Sequence, residues 1–391
     1  MPFPGAVNVQ PGVGVAGDFC STNPRASVVN GPGAFVAGSS GVTIGAFAWA
    51  DSTNKFASNF GPLTPAGFVC RAQQAIIQTF LADNTQQILP GLVVTLFSEG
   101  EFWVKNSGAS STAVGQKAYA NNATGLVTFA ATGNPPAGAT STASTIALNN
   151  TTGGTIALPS VTATFSGTTM TVSAVGTGAL APGMVLSGTN VDPATTIVAQ
   201  LTGTTGSTGT YQASVSQSIT TATTVTAPLW GVLSLATAVT GLFAPGQTLS
   251  GTGVTTGTTV GALISGTGAA TGSTLAVFAP TTMAAIASGT SITASGGLLT
   301  VGGTVTVTAG SYSIGALLTG SGVTAGTYIT ANASTNSQLT GAGGAGTYLL
   351  NQGQTLSSQA INTNAGTETK WYALSVAAPG ELVKMSSWPL G

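Results

Sequence analysis

The chain has 391 residues, of which 4% are charged, 42% are hydrophobic and 56 are glycine; it has no histidine and a net charge of −1. An ordinary domain carries about 25% charged residues and about 7% glycine, so this is a nearly neutral, glycine-rich chain, with a mean hydropathy of +0.41. Without histidine, neither a Ser-His-Asp nor a Cys-His nucleophile can be assembled, nor a histidine-ligated zinc site.

Two cysteines are too few for an all-thiolate metal site, and seven basic residues leave no electrostatic footprint for nucleic acid. The longest apolar runs, such as 88–97, contain Pro90 and Gly91 and fall short of the roughly 18 residues of a membrane span. The composition predicts a structural protein rather than an enzyme, with no cofactor and neither nucleic acid nor membrane as partner.

In chain order, the first stretch lacks the basic and apolar regions of a signal peptide. Its Pro2, Pro4, Pro11, Gly12, Gly14 and Gly17 predict an extended arm that orders by lying across a partner. Residues 41–49 and 101–105 alternate apolar and polar positions, as half-buried strands do. The segment 75–81 reads two ways. Ile76, Ile77, Phe80 and Leu81 fit a helical face, whereas Ile77, Thr79 and Leu81 fit a strand, which the β-rich neighbours favour.

Of the fifteen charged residues, ten precede position 118 and four follow 367; between them lies only Asp192. Four of the five tryptophans (Trp49, Trp103, Trp371, Trp388) and both cysteines share those outer segments. The division predicts one β domain built from 1–135 and 364–391, with a long insertion at a loop tip, where added length costs little entropy.

The insertion repeats. Residues 180–191, 243–254 and 312–323 align without gaps, and their shared glycines Gly188, Gly251 and Gly320 are spaced 63 and then 69 residues apart. That period exceeds the 20–50 residues of a solenoid coil and suits a tandem array. Runs such as Met170-Thr171-Val172-Ser173 and 304–308 alternate at period two, and glycine supplies the turns. The expectation is a linker over 136–160, then three small β-sandwich or barrel modules at 161–228, 229–295 and 296–363. The fold class is all-β.

Residues 67–106, 115–133 and 368–388, with the opening stretch 4–29, resemble the structural cement proteins that decorate tailed-phage capsids. The resemblance covers about 1–135 and 364–391, and the repeats depart from it. It implies a jelly-roll-like or β-barrel core that binds the outer surface of the major capsid protein lattice in the virion. The core would assemble in the host cytoplasm as a dimer or trimer at a symmetry axis. The insertion would then project outward, with a host surface glycan as a partner for weak adhesion. A phage fibre or bacterial adhesin that binds a receptor through the repeats is the alternative.

Among candidate site residues, Phe3 and Arg25 on the arm and Trp388 near the last residues are the partner contacts expected, since Trp and Arg are enriched at binding hot spots. Glu99 and Glu101 could share a strand face as a carboxylate pair, but a solvated strand edge is the simpler reading. The GxGxxG match at 341–346 lacks a strand-then-helix setting and an acidic residue downstream. Cys20 and Cys70 read as free thiols, given the reducing cytoplasm of phage assembly. Asn122, Asn149, Asn150 and Asn332 begin sequons that a Thr-rich sequence generates freely.

Overall fold

The computed structural model describes residues 14–29, 31–51, 53–71, 86–236, 239–307, 311–364 and 366–388. The arm's Phe3 and the ambiguous segment 75–81 lie outside them. Every regular element among the described residues is a β-strand.

The two chain ends form a pair of packed sheets. The first has seven strands in the order Ala26–Ser27, Leu96–Glu99, Gly67–Val69, Phe47–Ala50, Phe56–Ser58, Phe35–Ala37 and Val93–Val94. The second has five, in the order Glu101–Lys105, Leu382–Ser386, Thr367–Ala373, Lys117–Ala120 and Val127–Ala130. Strands more than 240 residues apart in sequence therefore pair directly, as in Tyr119 opposite Glu368.

Period-two alternation splits the first sheet between two cores. Phe47 and Phe68 point into a cluster with Phe102, Val104, Trp371, Val383 and Met385 of the second sheet. Their neighbours Ala48 and Val69 point the other way, onto Phe35, Ile44, Ile88 and Leu96. A strand covered on both faces reads as a continuous apolar run, and Gly67–Val69 is buried throughout. Phe102 is fully buried, with ring centroids of Phe19, Phe68, Phe97 and Trp371 within 6 Å.

The arm adds to the edge of the second sheet. The Gly17 N–H donates to the Trp103 carbonyl (2.8 Å), the Trp103 N–H to Asp18 (2.9 Å) and the Cys20 N–H to Glu101 (3.1 Å). Gly14 lies so close to the Trp103 ring that a Cβ there would sit 2.5 Å from Cδ1. Residues 14–20 thus order against the chain's own edge strand.

The insertion differs from the tandem expectation. Residues 136–160, expected to be a linker, are almost entirely one 21-residue strand, Ala137–Ala157. Its first half pairs with Leu356–Asn364, from Ala137 opposite Asn364 to Ile146 opposite Leu356. Its second half pairs with Ile286–Val301 from Asn149 opposite Ala294 to Ile156 opposite Ile286, and Thr145 to Leu148 pair with the remainder of that strand, Thr300 to Gly297. The same strand therefore serves two cores in succession. Ala139 and Ile146 join Leu299, Tyr312, Ile329, Tyr348 and Ile361; Ile156 joins Leu233, Phe243, Leu249, Leu275 and Ile292.

A third core lies within 160–227, with Ala276 of the middle unit closing one side. Ser160–Thr177 pairs with Gly209–Thr226 and encloses Phe165, Met170, Met184 and Tyr211. The three units are thus nested rather than strung in line. The chain runs up through the unit next to the core and through the middle one, forms the tip unit, and returns through the middle unit and then the first. Pro159 and Pro228 flank the neck of the tip unit, where they cannot donate to a ladder and so end the strands. At the junction of the other two, Gly296 (φ +81°) allows a kink in which any Cβ would strike the Leu350 carbonyl.

The anchor glycines hold matching places. A Cβ on Gly188, Gly251 or Gly320 would stand 2.7, 2.6 or 2.9 Å from a carbonyl of the adjacent strand, that of Thr224, Ser291 or Ala360. In each unit that Cβ would also approach a valine three residues on: Val191, Val254 or Val323. The isolated bridges Val185–Thr196, Thr248–Thr259 and Leu317–Tyr328 recur at the same spacings.

Candidate functional site

The charged and aromatic groups of the two ends meet at the turn joining Leu96–Glu99 to Glu101–Lys105. Gly100 makes this corner with φ +138°, and a Cβ there would press on the Phe102 ring at 2.9 Å and on Arg25 Cβ at 3.3 Å. The Gly100 N–H donates to Ser387 Oγ (2.9 Å), and the Ser387 N–H donates back to the Gly100 carbonyl (3.1 Å). Arg25 and the residue preceding Trp388 are in this way drawn to one corner, although more than 360 positions separate them in sequence.

Arg25 lies exposed, its guanidinium carbon 3.9 Å from the centroid of the Phe19 ring. Phe19 and Trp388 are themselves partly open to solvent, at 36% and 37%. A guanidinium stacked on an aromatic face keeps its donors free at the rim for an acceptor on a partner. Phe19, Asn23 and Ser387 carry no motif in the sequence; they join the corner only through the arm's register and the return of the final strand.

The two glutamates do not form an acid–base pair. Glu99 ends one strand and meets Lys370 (3.3 Å), with both side chains exposed. Glu101 begins the next and accepts from Asn23 Nδ2 (2.9 Å) and Ser386 Oγ (3.3 Å). Each carboxylate is held by its own partners.

Both cysteines are free thiols. Burial, assisted by the Glu101 charge, pushes the Cys20 thiol up to about 11, and burial pushes Cys70 up to about 11 as well. Both shifts favour the protonated thiol near neutral pH.

A second polar cluster sits where the insertion leaves the core. Glu368 Oε2 accepts from Tyr119 Oη (2.8 Å) and from the Gly133 N–H (2.6 Å). The Gly133 N–H, with the Tyr119 hydroxyl, holds the Glu368 carboxyl below its usual range against a smaller opposing effect of burial. Burial and the Glu368 hydrogen bond push Tyr119 up to about 12. The cluster ties three segments at the base of the insertion and is structural in its chemistry.

The glycine match at 341–346 also has a structural role. A Cβ on Gly341 would fall 2.1–2.6 Å from the Tyr348 ring, so the glycine makes room for that buried ring. Of the sequons, Asn122 and Asn149 are buried and bonded to the backbone or to neighbouring side chains.

A family model described as the XM1 gp53 minor capsid protein matches residues 5–160. That match supports a structural protein of a phage capsid, hence a virion component, and argues against an enzyme. It takes in most of the core and the whole of Ala137–Ala157, and it ends where the tip unit begins. No curated protein and no solved structure matches the chain.

Proposed function

We propose that this chain stabilises a tailed-phage head by docking its end-built core on the outer surface of the major capsid protein lattice. The observation that carries this reading is the Arg25–Phe19 stack beside Gly100, with Ser387 bonded to Gly100 and the half-exposed Trp388 next to Ser387 in the chain, within the part of the chain that holds fourteen of the fifteen charges. Arg and Trp are the side chains that most often dominate an interface, and charge complementarity sets register and partner choice. Copies at a capsid symmetry axis, as dimers or trimers, would repeat the contact and add avidity.

The inserted units then project away from the shell. Their surface of threonine, glycine and short apolar side chains suits weak, multivalent contact with a neutral surface such as a host glycan. Nesting orders the projection, with the tip unit built from 160–227 farthest along the chain path from the core.

The test adds the full chain to undecorated heads and measures saturation and the heat stability of the shell. Wild type is expected to saturate and stabilise. The double variant Arg25→Ala, Trp388→Ala should lose at least tenfold in affinity while remaining folded, in line with hot-spot losses of about 2 kcal/mol or more. A core closed by a short glycine-serine turn in place of 136–365 should still bind. If that core folds but does not bind, attachment resides in the projection, and a fibre or adhesin role takes precedence.

A further inference from the structure

The nested connectivity fixes how far apart in sequence each unit's first contacts lie. The tip unit is built almost wholly between Leu158 and Trp230: its two long strands pair from Val172–Gly209 out to Ser160–Thr226, and Ala276 alone among its fully buried core residues comes from beyond that stretch. The middle unit must bring Asn149 to Ala294 and Ile156 to Ile286 across the whole tip unit. The unit next to the core must bring Ala137 to Asn364 across both, and the core must bring Lys117 to Tyr372 across all three.

We infer that the chain folds from the tip inward, each closed neck preparing the next, so that the core sheet closes last. The probability that two ends of a flexible loop meet falls roughly as the three-halves power of its length. Closing the middle unit over an unfolded stretch of about 70 residues is therefore disfavoured a few hundred-fold relative to adjacent ends. Once the tip unit is folded, Ser160 and Thr226 are paired, and the effective loop shrinks to the few residues around Pro159 and Pro228. The same relief passes outward at the Leu148–Gly297 pair and then at Ala137–Asn364. There the Tyr119–Glu368–Gly133 cluster can form only after both ends have arrived.

This order concerns rates. In the finished protein, coupling between neighbours is reciprocal, as any linkage must be; the asymmetry belongs to the route. Its consequence is that a chain with a completed core already carries a folded projection. The inference does not depend on what the core binds.

The test is refolding of the unfolded full chain with pulsed hydrogen exchange, read segment by segment. Protection should appear first in 160–227, next in 149–157 with 230–294, then in 137–147 with 297–364, and last in 117–120 with 367–373. Met170→Ala, in the tip core, should slow the tip unit and delay core protection at least tenfold. Ile361→Ala, in the unit next to the core, should delay core protection and leave the rate in 160–227 unchanged. Strands 117–120 and 367–373 protected before or together with the tip unit in the wild type would overturn the inference, as would a Met170→Ala chain in which that pairing closes at the wild-type rate. The wild-type order stands as a test even if a variant fails to fold.

Discussion

The core and the inserted units are built from the same element by different means. The core stacks large aromatic rings, with Phe47, Phe68, Phe102 and Trp371 in one cluster, and fringes them with charges tied in pairs. The inserted units rely on Leu, Ile, Val and Met with one or two rings each (Phe165 and Tyr211, Phe243, or Tyr312 and Tyr348), and on hydroxyl and amide groups bonded inside the ladder. Ser141, Ser144, Asn149 and Thr151 are buried on Ala137–Ala157, and Ser141 bonds both Ser144 and the Ile361 carbonyl. A buried polar group that is fully bonded costs little, so an almost uncharged threonine-rich chain can still form closed cores. Specific contact is concentrated in one region and repetition in the other.

The largest expected effect tests the aromatic side of this contrast. Phe102→Ala empties the centre of a six-ring cluster and should destabilise the core by about 3–5 kcal/mol, measured by denaturant unfolding followed through tryptophan fluorescence. Equal loss of cooperativity throughout 160–227, seen by hydrogen exchange, would break the contrast, because the tip core shares no ring with that cluster.

Next come the anchor glycines, which probe the repeated side. Gly251→Ala meets both an unfavourable backbone, φ +153°, and a carbonyl 2.6 Å from the new Cβ. A loss of about 1–3 kcal/mol is expected in its unit. Gly188→Ala and Gly320→Ala carry no such backbone strain and meet the carbonyl at 2.7 and 2.9 Å, with Val191 or Val323 at 3.1 or 3.2 Å, and should cost less. A thermal-melt series in which Gly251→Ala is the mildest would show that the three sites are not equivalent.

A smaller effect falls on the join between the regions. Folding lowers the Glu368 carboxyl below its ordinary value of 4.5. Its contribution is therefore fully present above that value and is lost as the pH falls through the lower folded-state value. Glu368→Gln should remove this acid-limb dependence and lower neutral-pH stability toward the level that wild type reaches in acid, as an acid titration of the melting temperature would record. A wild-type profile identical to that of the variant would show that the cluster carries no proton linkage.

The smallest effect is that of the surface ion pair. Lys370→Ala breaks the exposed contact with Glu99 and should change stability by about 0.5 kcal/mol or less. Melts of wild type at low and high salt should move the core slightly and 160–227 not at all, since Asp192 is the single charge there.

Much of the local structure was legible in residue order. Period-two runs such as 101–105 and 170–173 are strands, because side chains on a pleated strand alternate faces whatever lies beside them. The aligned stretches around Gly188, Gly251 and Gly320 mark positions where a carbonyl leaves no room for a side chain, a constraint that repeats visibly. The corner that sets the Arg25–Phe19 stack beside Gly100 and Ser387 was legible only as separate residues. Its geometry depends on Gly100, on the arm lying along Glu101–Lys105 and on Ser387 returning from the far end of the chain.

What residue order by itself determined is the strand content, the uncharged middle and the presence of a repeat. Each is local, encoded in side-chain alternation or composition over a dozen residues. The tertiary structure alone decided that 137–157 is a shared strand and that the units are nested. A run of Ser, Thr, Ala and Gly has the same composition as a solvated linker or as a ladder strand, and burial separates the two only when the partners arrive. Those partners lie at 286–301 and 356–364, and no local period carries the register between strands so far apart.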